Sequence, residues 1–287
     1  MGADTLFMAA GARRCRFGFY HILQQRILKD MGFKFKLYPI DQYNGFQFTT
    51  QFIPRTFKVP LTQSLHAISL LLKKARLIER FENLLRDARA SDFHYARKRE
   101  GRALKIIRGA RTGEEIRRAE LMLERLFKIE KNHSLKVGIV GEIFFMLDPF
   151  ANNEIEKELG RMGVRVISYR SLYSYLKGLL KMDFKAMRFK RMAKEYLGES
   201  PGGEAEKSIG ETIDLIRRGI DGIIHIFPFG CMPENIASDI FDKISRDYNT
   251  PILSLSMDEH TSRTGLFTRL EAFIDLIRRR DGKFLRH

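Results

Sequence analysis

Residues 224–234 read IHIFPFGCMPE, and this stretch indicates the kind of fold. A run of apolar residues ends in a turn that contains Pro228 and Gly230, and Cys231 follows directly. A helix-like pattern begins at once after Pro233. A strand, a tight turn and a helix in this order are typical of α/β folds, which build ligand sites at such junctions. The stretch predicts a site at Cys231 without naming its chemistry.

Strands and helices alternate on both sides of this stretch. Apolar runs predict strands at 136–142, 164–167, 222–227 and 251–257. A loop is predicted at 144–149, and helical periodicity fills the other segments between the strands. Strands that alternate with helices favour parallel pairing. The second half of the chain is therefore predicted to form a small doubly wound parallel sheet.

The first part of the chain repeats this pattern once. Strands are predicted at 4–10 and 33–40, with a helix from Phe17 to Leu28 between them. Residues 41–60 are less regular and are interpreted as a connection. The fold class is α/β with two lobes, each a parallel sheet flanked by helices, and the chain is expected to begin inside the first lobe.

Between the lobes the pattern is helical only. Apolar residues recur at helical spacing from Leu61 to about Asn132, and Thr112 with Glu115 matches a capping box at the start of one helix. This region is interpreted as an all-helical insertion. The predicted domains are a first α/β lobe (1–60), a basic helical insertion (61–135) and a second α/β lobe (136–287).

Composition excludes several classes of protein. The chain has 287 residues, of which 44% are hydrophobic, and 23 are phenylalanine, so a packed core is expected. No apolar run reaches the roughly 18–20 residues of a membrane span, and no signal peptide is expected. Two cysteines are too few for a disulfide scaffold, which favours a cytoplasmic, reducing setting.

The net charge of +16 suggests an anionic substrate or nucleic acid as a partner. Residues 61–136 contribute roughly +9 of this excess. A solvated helical surface explains that charge, and no nucleic-acid-binding module accompanies it, so nucleic-acid binding is the weaker interpretation.

Both cysteines fall where a predicted strand ends and a helix begins. Ligands of open parallel sheets bind outside the carboxyl ends of the strands, and a helix N-terminus lowers the pKa of a thiol. Thiolates suit zinc, copper(I) or an iron–sulfur cluster. A disulfide between Cys15 and Cys231 is a weaker alternative. A nucleophilic pair of Cys231 with His225 or His260 is another. His225, however, lies in an apolar strand, which is typical of a core histidine. The polar candidates are Arg16, Glu142, Glu234, Asp258, Glu259 and His260.

Four blocks resemble one family. Residues 227–234 resemble the Pro-Phe-x-Cys-Met-Pro-Glu motif of acyl-CoA dehydratase activase-related proteins, which are relatives of the 2-hydroxyglutaryl-CoA dehydratase and benzoyl-CoA reductase subunits. Residues 258–273 resemble the next block of that family, and residues 137–153 resemble the opening of its second domain. Residues 2–5 and 15–20 resemble its first strand and turn.

The resemblance implies a [4Fe–4S] cluster between two lobes, with Cys15 and Cys231 as metal ligands, and low-potential electron transfer in anaerobic metabolism. It also implies a companion subunit or homodimer, an ATP-dependent activator protein and a CoA thioester substrate. Ala12 stands where the family has a further cysteine, so the remaining ligands come from another chain or the cluster has been lost. The sequence therefore leaves two functions open. The chain is either an iron–sulfur component of a larger complex or a non-enzymatic companion or scaffold subunit.

Overall fold

The computed structural model describes residues 4–8, 15–40, 45–128, 135–180 and 182–280. Within these ranges the strands form two sheets, and every pairing between neighbouring strands is parallel. This confirms the predicted α/β class with parallel sheets flanked by helices. The strands are β1 (Thr5–Met8), β2 (Lys36–Pro39), β3 (Leu135–Gly141), β4 (Val164–Ile167), β5 (Gly222–Pro228) and β6 (Ile252–Met257).

Helices account for most of the remaining described residues. They are α1 (Phe17–Asp30), α2 (Gly45–Gln47), α3 (Ile53–Phe57), α4 (Leu61–Ser91), α5 (Phe93–Gly109), α6 (Gly113–Leu126), α7 (Ile143–Leu147), α8 (Ile155–Arg161), α9 (Leu172–Leu179), α10 (Phe184–Ala193), α11 (Ala205–Arg217), α12 (Met232–Asp247) and α13 (Arg263–Arg280). A π-helical segment, Phe48–Phe52, lies between α2 and α3. No helix in the described ranges combines the length and the apolar character that a membrane crossing needs.

The larger sheet has the strand order β4–β3–β5–β6. His225 in β5 pairs in register with Val140 of β3 on one side and with Ser254 of β6 on the other. Since all four strands run in the same direction, their carboxyl ends meet at one edge of the sheet. The segments after β3, β5 and β6 are therefore neighbours, as the sequence predicts.

Two hydrophobic cores hold this sheet between its helices. One contains Val137, Ile139 and Ile226 and packs against α8 and α13, and the other contains Val140 and Ile223 and packs against α10, α11 and α12. A third core lies within α4, α5 and α6. Burial of the strands on both faces explains why β3 and β5 read as continuous apolar runs.

The long helix α4 links the helical region to the larger sheet. Its 31 residues span about 46 Å at 1.5 Å per residue. Arg86 makes two 2.8 Å hydrogen bonds to the Glu156 carboxylate of α8, and Asp87 accepts a 2.6 Å hydrogen bond from Arg165 of β4. The boundaries predicted for the three domains stay a prediction.

The structure confirms one local sequence signal and corrects two others. The capping box is confirmed, because Thr112 accepts a hydrogen bond from the amide of Glu115, whose carboxylate accepts one from the amide of Thr112. The loop predicted at 144–149 is wrong, because α7 occupies residues 143–147. The irregular connection predicted at 41–60 is wrong for residues 45–57, which are helical; residues 41–44 lie outside the described ranges.

Candidate functional site

Cys231 occupies the N-cap position of α12, directly after β5. Its amide donates a 3.0 Å hydrogen bond to the carbonyl of Pro228, which closes the turn. Gly230 has φ of +74°, a left-handed conformation that glycine adopts without strain. The thiol is half-buried at the carboxyl edge of the larger sheet, where the sequence predicts a site.

Cys15 lies two residues before α1 and is also half-buried. It is close enough to Cys231 to act on the charge of that thiol. The two thiols follow strands of different sheets, so the fold brings together residues that are far apart in sequence. A role for them as metal ligands stays a prediction.

The pKa of the Cys231 thiol is raised to about 11. Burial is the largest cause, and the carboxylates of Glu234 and Glu142 and the thiol of Cys15 add to it, while the backbone amide of Glu234 opposes them. The expectation that the helix N-terminus favours the thiolate is therefore wrong for Cys231. Burial beside carboxylates outweighs the helix dipole.

Glu142 follows β3, and its carboxylate is near enough to the Cys231 thiol to raise the pKa of that thiol. Its carboxylate accepts hydrogen bonds from the amides of Phe144 at 2.9 Å and Phe145 at 3.1 Å, and so caps α7. Burial raises the pKa of Glu142, the two amide donors oppose that shift, and the charges of Glu234 and Glu204 reinforce it. Several carboxylates thus lie near Cys231. The buried guanidinium of Arg170, described below, offsets part of their mutual repulsion.

Glu234 is fully buried in the first turn of α12. One carboxylate oxygen lies 2.8 Å from Nε2 of His225, and the other accepts a 3.0 Å hydrogen bond from the Ser208 hydroxyl. Nδ1 of His225 lies 3.2 Å from the Ser254 hydroxyl. These contacts join α12, β5, β6 and α11 immediately beneath Cys231.

The polar network continues from Ser208 to Arg170, whose side chain is 1% exposed. Arg170 donates hydrogen bonds to Glu211 at 2.7 Å and to Ser208 at 3.3 Å, and it also pairs with Glu204. Burial raises the pKa of Glu211 more than Arg170 lowers it. For Glu204, Arg170 and Lys207 outweigh burial and hold the pKa low.

Sequence reasoning missed Arg170, Ser208 and Glu211. A signal for part of the network was present, because Ser208 and Glu211 sit among the apolar residues Ile209 and Ile213 in a helix that is buried on nearly every side. Polar side chains at such positions require partners. Arg170 carries no such signal, since it follows a short strand and has no periodic neighbours.

His225 is a buried histidine whose ring nitrogens both have partners, in agreement with its interpretation as a core residue. Its ring stacks on Phe227 at 4.5 Å and meets Phe241 edge-on at 4.7 Å. Both nitrogens face carboxylate or hydroxyl groups. The geometry therefore does not support His225 as the base of a Cys231 nucleophile.

The three polar candidates after β6 form a separate exposed loop. The Asp258 carboxylate accepts hydrogen bonds from the amide of His260 at 3.1 Å and from the hydroxyl of Thr261 at 2.9 Å. The side chains of Glu259 and His260 are 83% and 86% exposed. The Asp258 carboxylate therefore stabilises its own turn.

Arg16 occupies the N-cap position of α1, and its side chain is exposed and does not cap the helix by a hydrogen bond. Arg16 follows Cys15 directly, so it is the candidate cation nearest in sequence to either thiol. Its exposure leaves its charge in water, where it acts weakly on the buried groups around Cys231.

The donor atoms of the chain decide whether it can hold an iron–sulfur cluster by itself. A [4Fe–4S] cluster is held by four cysteine thiolates, and the chain contains two cysteines. Among the described residues, no group of three or more His, Cys, Asp or Glu side chains is arranged to hold a metal ion. The chain therefore supplies part of such a ligand set and does not complete it.

Comparison with protein families gives one match. Residues 58–277, more than three quarters of the chain, match the family described as 2-hydroxyglutaryl-CoA dehydratase, D-component. The matched range includes Cys231, Glu234 and the Arg170 network, and it leaves out Cys15. A comparison with curated proteins found no match. On the length of its family match, the chain belongs to the 2-hydroxyglutaryl-CoA dehydratase D-component family.

Proposed function

We propose that this chain is an iron–sulfur component of a 2-hydroxyacyl-CoA dehydratase system and acts within a larger complex. The observation that carries the proposal is that the chain's two thiols, Cys15 and Cys231, follow strands of different sheets and yet lie within electrostatic reach of each other. Thiol sulfurs brought together from separate elements are the usual donors of an iron–sulfur cluster. A bound cluster would supply one-electron transfer at low potential.

The residues around the thiols have supporting roles in this proposal. Glu234 is fixed by His225 and Ser208, and it holds the first turn of α12 and with it the position of Cys231. Glu142 fixes the turn after β3, because its amide donates to the Ile226 carbonyl at 3.0 Å while its side chain caps α7. Two rigid turns next to the thiol restrict its movement when it binds a ligand.

The family description supports the proposed substrate class and partners. It names a dehydratase that acts on a CoA thioester, and the word component implies further chains. We infer that a companion subunit supplies the missing ligands and that an ATP-dependent activator delivers the electron. The net charge of +16 suits a substrate that carries the phosphates of CoA.

A second candidate function is a companion subunit that has kept the fold without a cluster. The count of thiols favours it, because two cysteines are half of the set that a [4Fe–4S] cluster requires. Such a subunit would use the buried Arg170 and Glu234 network for stability alone. It would act by binding another chain of the complex.

Iron and sulfide analysis after anaerobic purification separates the two candidates. The first predicts a brown protein with acid-labile sulfide, whose visible absorption is lost in Cys231→Ser and retained in the control Met232→Leu at the next position. It also predicts more iron per chain when a companion chain is co-expressed. Colourless, iron-free protein after anaerobic reconstitution, with and without the companion, would rule out the first candidate and leave the second.

A further inference from the structure

Helix α5 presents one face whose charged side chains are all positive. These side chains are exposed, and at 100° per residue they fall within an arc of about 140°. The buried residues of α5, Ala96, Ala103 and Ile107, lie on the opposite side of the helix. We call this surface the α5 basic face; its members are Arg97, Lys98, Arg102, Lys105 and Arg108.

The α5 basic face has no carboxylate to pair with. Glu100 is the only acidic residue of α5, and it pairs with Arg89 of α4 at 2.9 Å. Other arginines of the helical region are neutralised in the same way, as Arg80 of α4 is by Glu124 of α6 at 2.6 Å. No member of the α5 basic face forms an ion pair with another residue that the structure describes. The charge of this face is therefore uncompensated.

The α5 basic face does not have the composition of a protein or membrane contact. Protein interfaces are depleted in lysine and have an apolar centre, and helices that lie on membranes insert apolar side chains. Leu104 is the only large apolar residue of α5 in the exposed class, and it lies outside the arc of cations. Ile106 and Ile107 pack in the core that α5 shares with α4 and α6. The face therefore suits a polyanion that is bound without apolar contacts.

The arrangement of the cations suits a dense row of phosphates. From Arg97 to Arg108 the face is about 16 Å long at 1.5 Å per residue. Double-stranded DNA carries one charge per roughly 1.7 Å of its axis, whereas an extended acidic polypeptide carries at most one per about 3.5 Å. Gly101 lies among the cations, and nothing is close to the position that its Cβ would take, so a backbone can approach the helix there. Both features favour a nucleic acid duplex over an acidic polypeptide.

We propose that the α5 basic face binds the phosphodiester backbone of a nucleic acid duplex, independently of base sequence. The guanidinium and ammonium groups of the face donate hydrogen bonds to phosphate oxygens and release the counterions of the duplex. Contacts of this kind position a protein on a duplex without reading its bases, so they require no base-reading motif in the sequence. The net charge of +16 adds attraction at longer range.

This binding goes beyond the proposed function and does not depend on it. Neither cysteine belongs to α5, and no residue of the α5 basic face is among the groups that act on Cys231. Protein prepared without metal is therefore sufficient for the test. A missing cluster and a missing duplex contact are separate outcomes.

Fluorescence anisotropy of labelled duplexes of about 25 base pairs, titrated with the full chain, tests the proposal. We expect a dissociation constant on the order of micromolar at about 50 mM salt, and similar values for two unrelated DNA sequences. Five phosphate contacts predict a slope of about −4.5 for the logarithm of the association constant against the logarithm of the salt concentration. The affinity should therefore fall roughly 500-fold between about 50 and 200 mM salt.

Removal of three cations from the face should lower this slope. Arg102→Gln, Lys105→Gln and Arg108→Gln combined in one chain remove three contacts, and glutamine is nearly as good a helix former as lysine or arginine. The magnitude of the slope should decrease by about 2.7, and the affinity at about 50 mM salt should fall at least tenfold. Circular dichroism should show unchanged helix content, since all three positions are exposed.

A control with the same net charge separates the α5 basic face from the charge of the whole chain. Lys194→Gln, Lys243→Gln and Arg279→Gln combined remove three cations from exposed positions around the larger sheet. This control should keep the slope of the wild type and lose no more than about threefold in affinity, because its cations act only at long range.

Three results would overturn the proposal. The first is the absence of duplex binding even at about 20 mM salt, where phosphate contacts are strongest. The second is an equal loss of affinity in the control, which would assign the binding to overall charge. The third is competition by polyglutamate as effective, per charge, as that of unlabelled duplex, because the partner is then an acidic polypeptide. Comparison of DNA with RNA duplexes of equal length identifies the source of the backbone, and preference for either one supports the proposal.

Discussion

His225 and Glu234 contact each other at 2.8 Å, between Nε2 and a carboxylate oxygen, and neither residue is accessible to solvent. His225 belongs to β5, one of the two inner strands of the larger sheet, and Glu234 belongs to the first turn of α12. The contact therefore fixes the helix that carries Cys231 to the middle of the sheet.

Removal of the Glu234 carboxylate should destabilise the protein. Glu234→Ala removes one of the two side-chain partners of His225 and one of those of Ser208, both buried, which we expect to lower the free energy of unfolding by about 2–4 kcal/mol. Urea denaturation followed by circular dichroism measures the change. Glu259→Ala, at a side chain that is 83% exposed, is the control and should stay within about 0.5 kcal/mol of the wild type. Equal losses in both variants would contradict a structural role for the buried contact.

Cys231 should react slowly with alkylating reagents in protein prepared without metal. Because its pKa is raised to about 11, the thiolate fraction at pH 8 is roughly 100-fold below that of an ordinary cysteine. Mass spectrometry after timed iodoacetamide treatment measures the rate, which should rise about tenfold per pH unit up to pH 10. Glu142→Gln removes one of the raising charges and should accelerate the reaction, whereas unfolding in urea should abolish the protection. A rate at pH 8 equal to that in urea would disprove the raised pKa.

Glu82 in α4 should make stability depend on pH. Burial raises its pKa to about 7, Arg86 opposes the shift, and Glu156 and Glu79 add to it. Since the folded pKa lies above the unfolded one, the stability that protonated Glu82 contributes is complete below about pH 4.5 and is lost as the pH rises through 7. Glu82→Gln should therefore gain about 1–3 kcal/mol relative to the wild type between pH 5 and pH 8.

Denaturant titrations of both proteins at these two pH values measure that difference, and Glu259→Gln serves as an exposed control. If the free energies of unfolding of Glu82→Gln and the wild type differ by the same amount at both pH values, the Glu82 carboxyl does not titrate in this range.

Gly141 should not tolerate a side chain. Its φ is +140°, and a Cβ at this position would overlap the carbonyl oxygen of Ile226 in the neighbouring strand. Gly141→Ala is expected to cost more than about 3 kcal/mol or to prevent folding. Gly101→Ala in α5 is the matched control, because nothing lies near its Cβ position and alanine favours a helix, so a gain of about 0.5–1 kcal/mol is expected. Expression yield and thermal unfolding compare the two variants.

The sequence predicts the elements whose signals are local. Apolar runs predict β3 and β5 because both strands are buried on two faces, and Thr112 with Glu115 predicts the start of α6 because the capping contacts lie within four residues. The position of Cys231 after a strand follows from β5. The reading of residues 144–149 as a loop fails because one short helical turn has no periodicity to detect.

The interior of the site could not be predicted in the same way. Arg170 meets Glu211 across 41 positions in sequence, and that contact depends on how α11 packs on the sheet. Asp258, Glu259 and His260 carry the residue types of an active site, yet their loop is turned into solvent. Residue type and strand end indicate where a site can be, and packing decides which of its polar residues face inward.

Helix α4 is held by polar contacts in its first turn and along its second half. Contacts of Glu79 with Ser171, Arg86 with Glu156, and Asp87 with Arg165 attach its second half to the larger sheet. Its first turn holds the segment that covers the smaller sheet, through the hydrogen bond from Ser64 to the carbonyl of Thr49 at 2.6 Å. Through α4, the segment next to the smaller sheet is therefore attached to the larger sheet, so the strands that precede Cys15 and Cys231 are connected by one continuous helix.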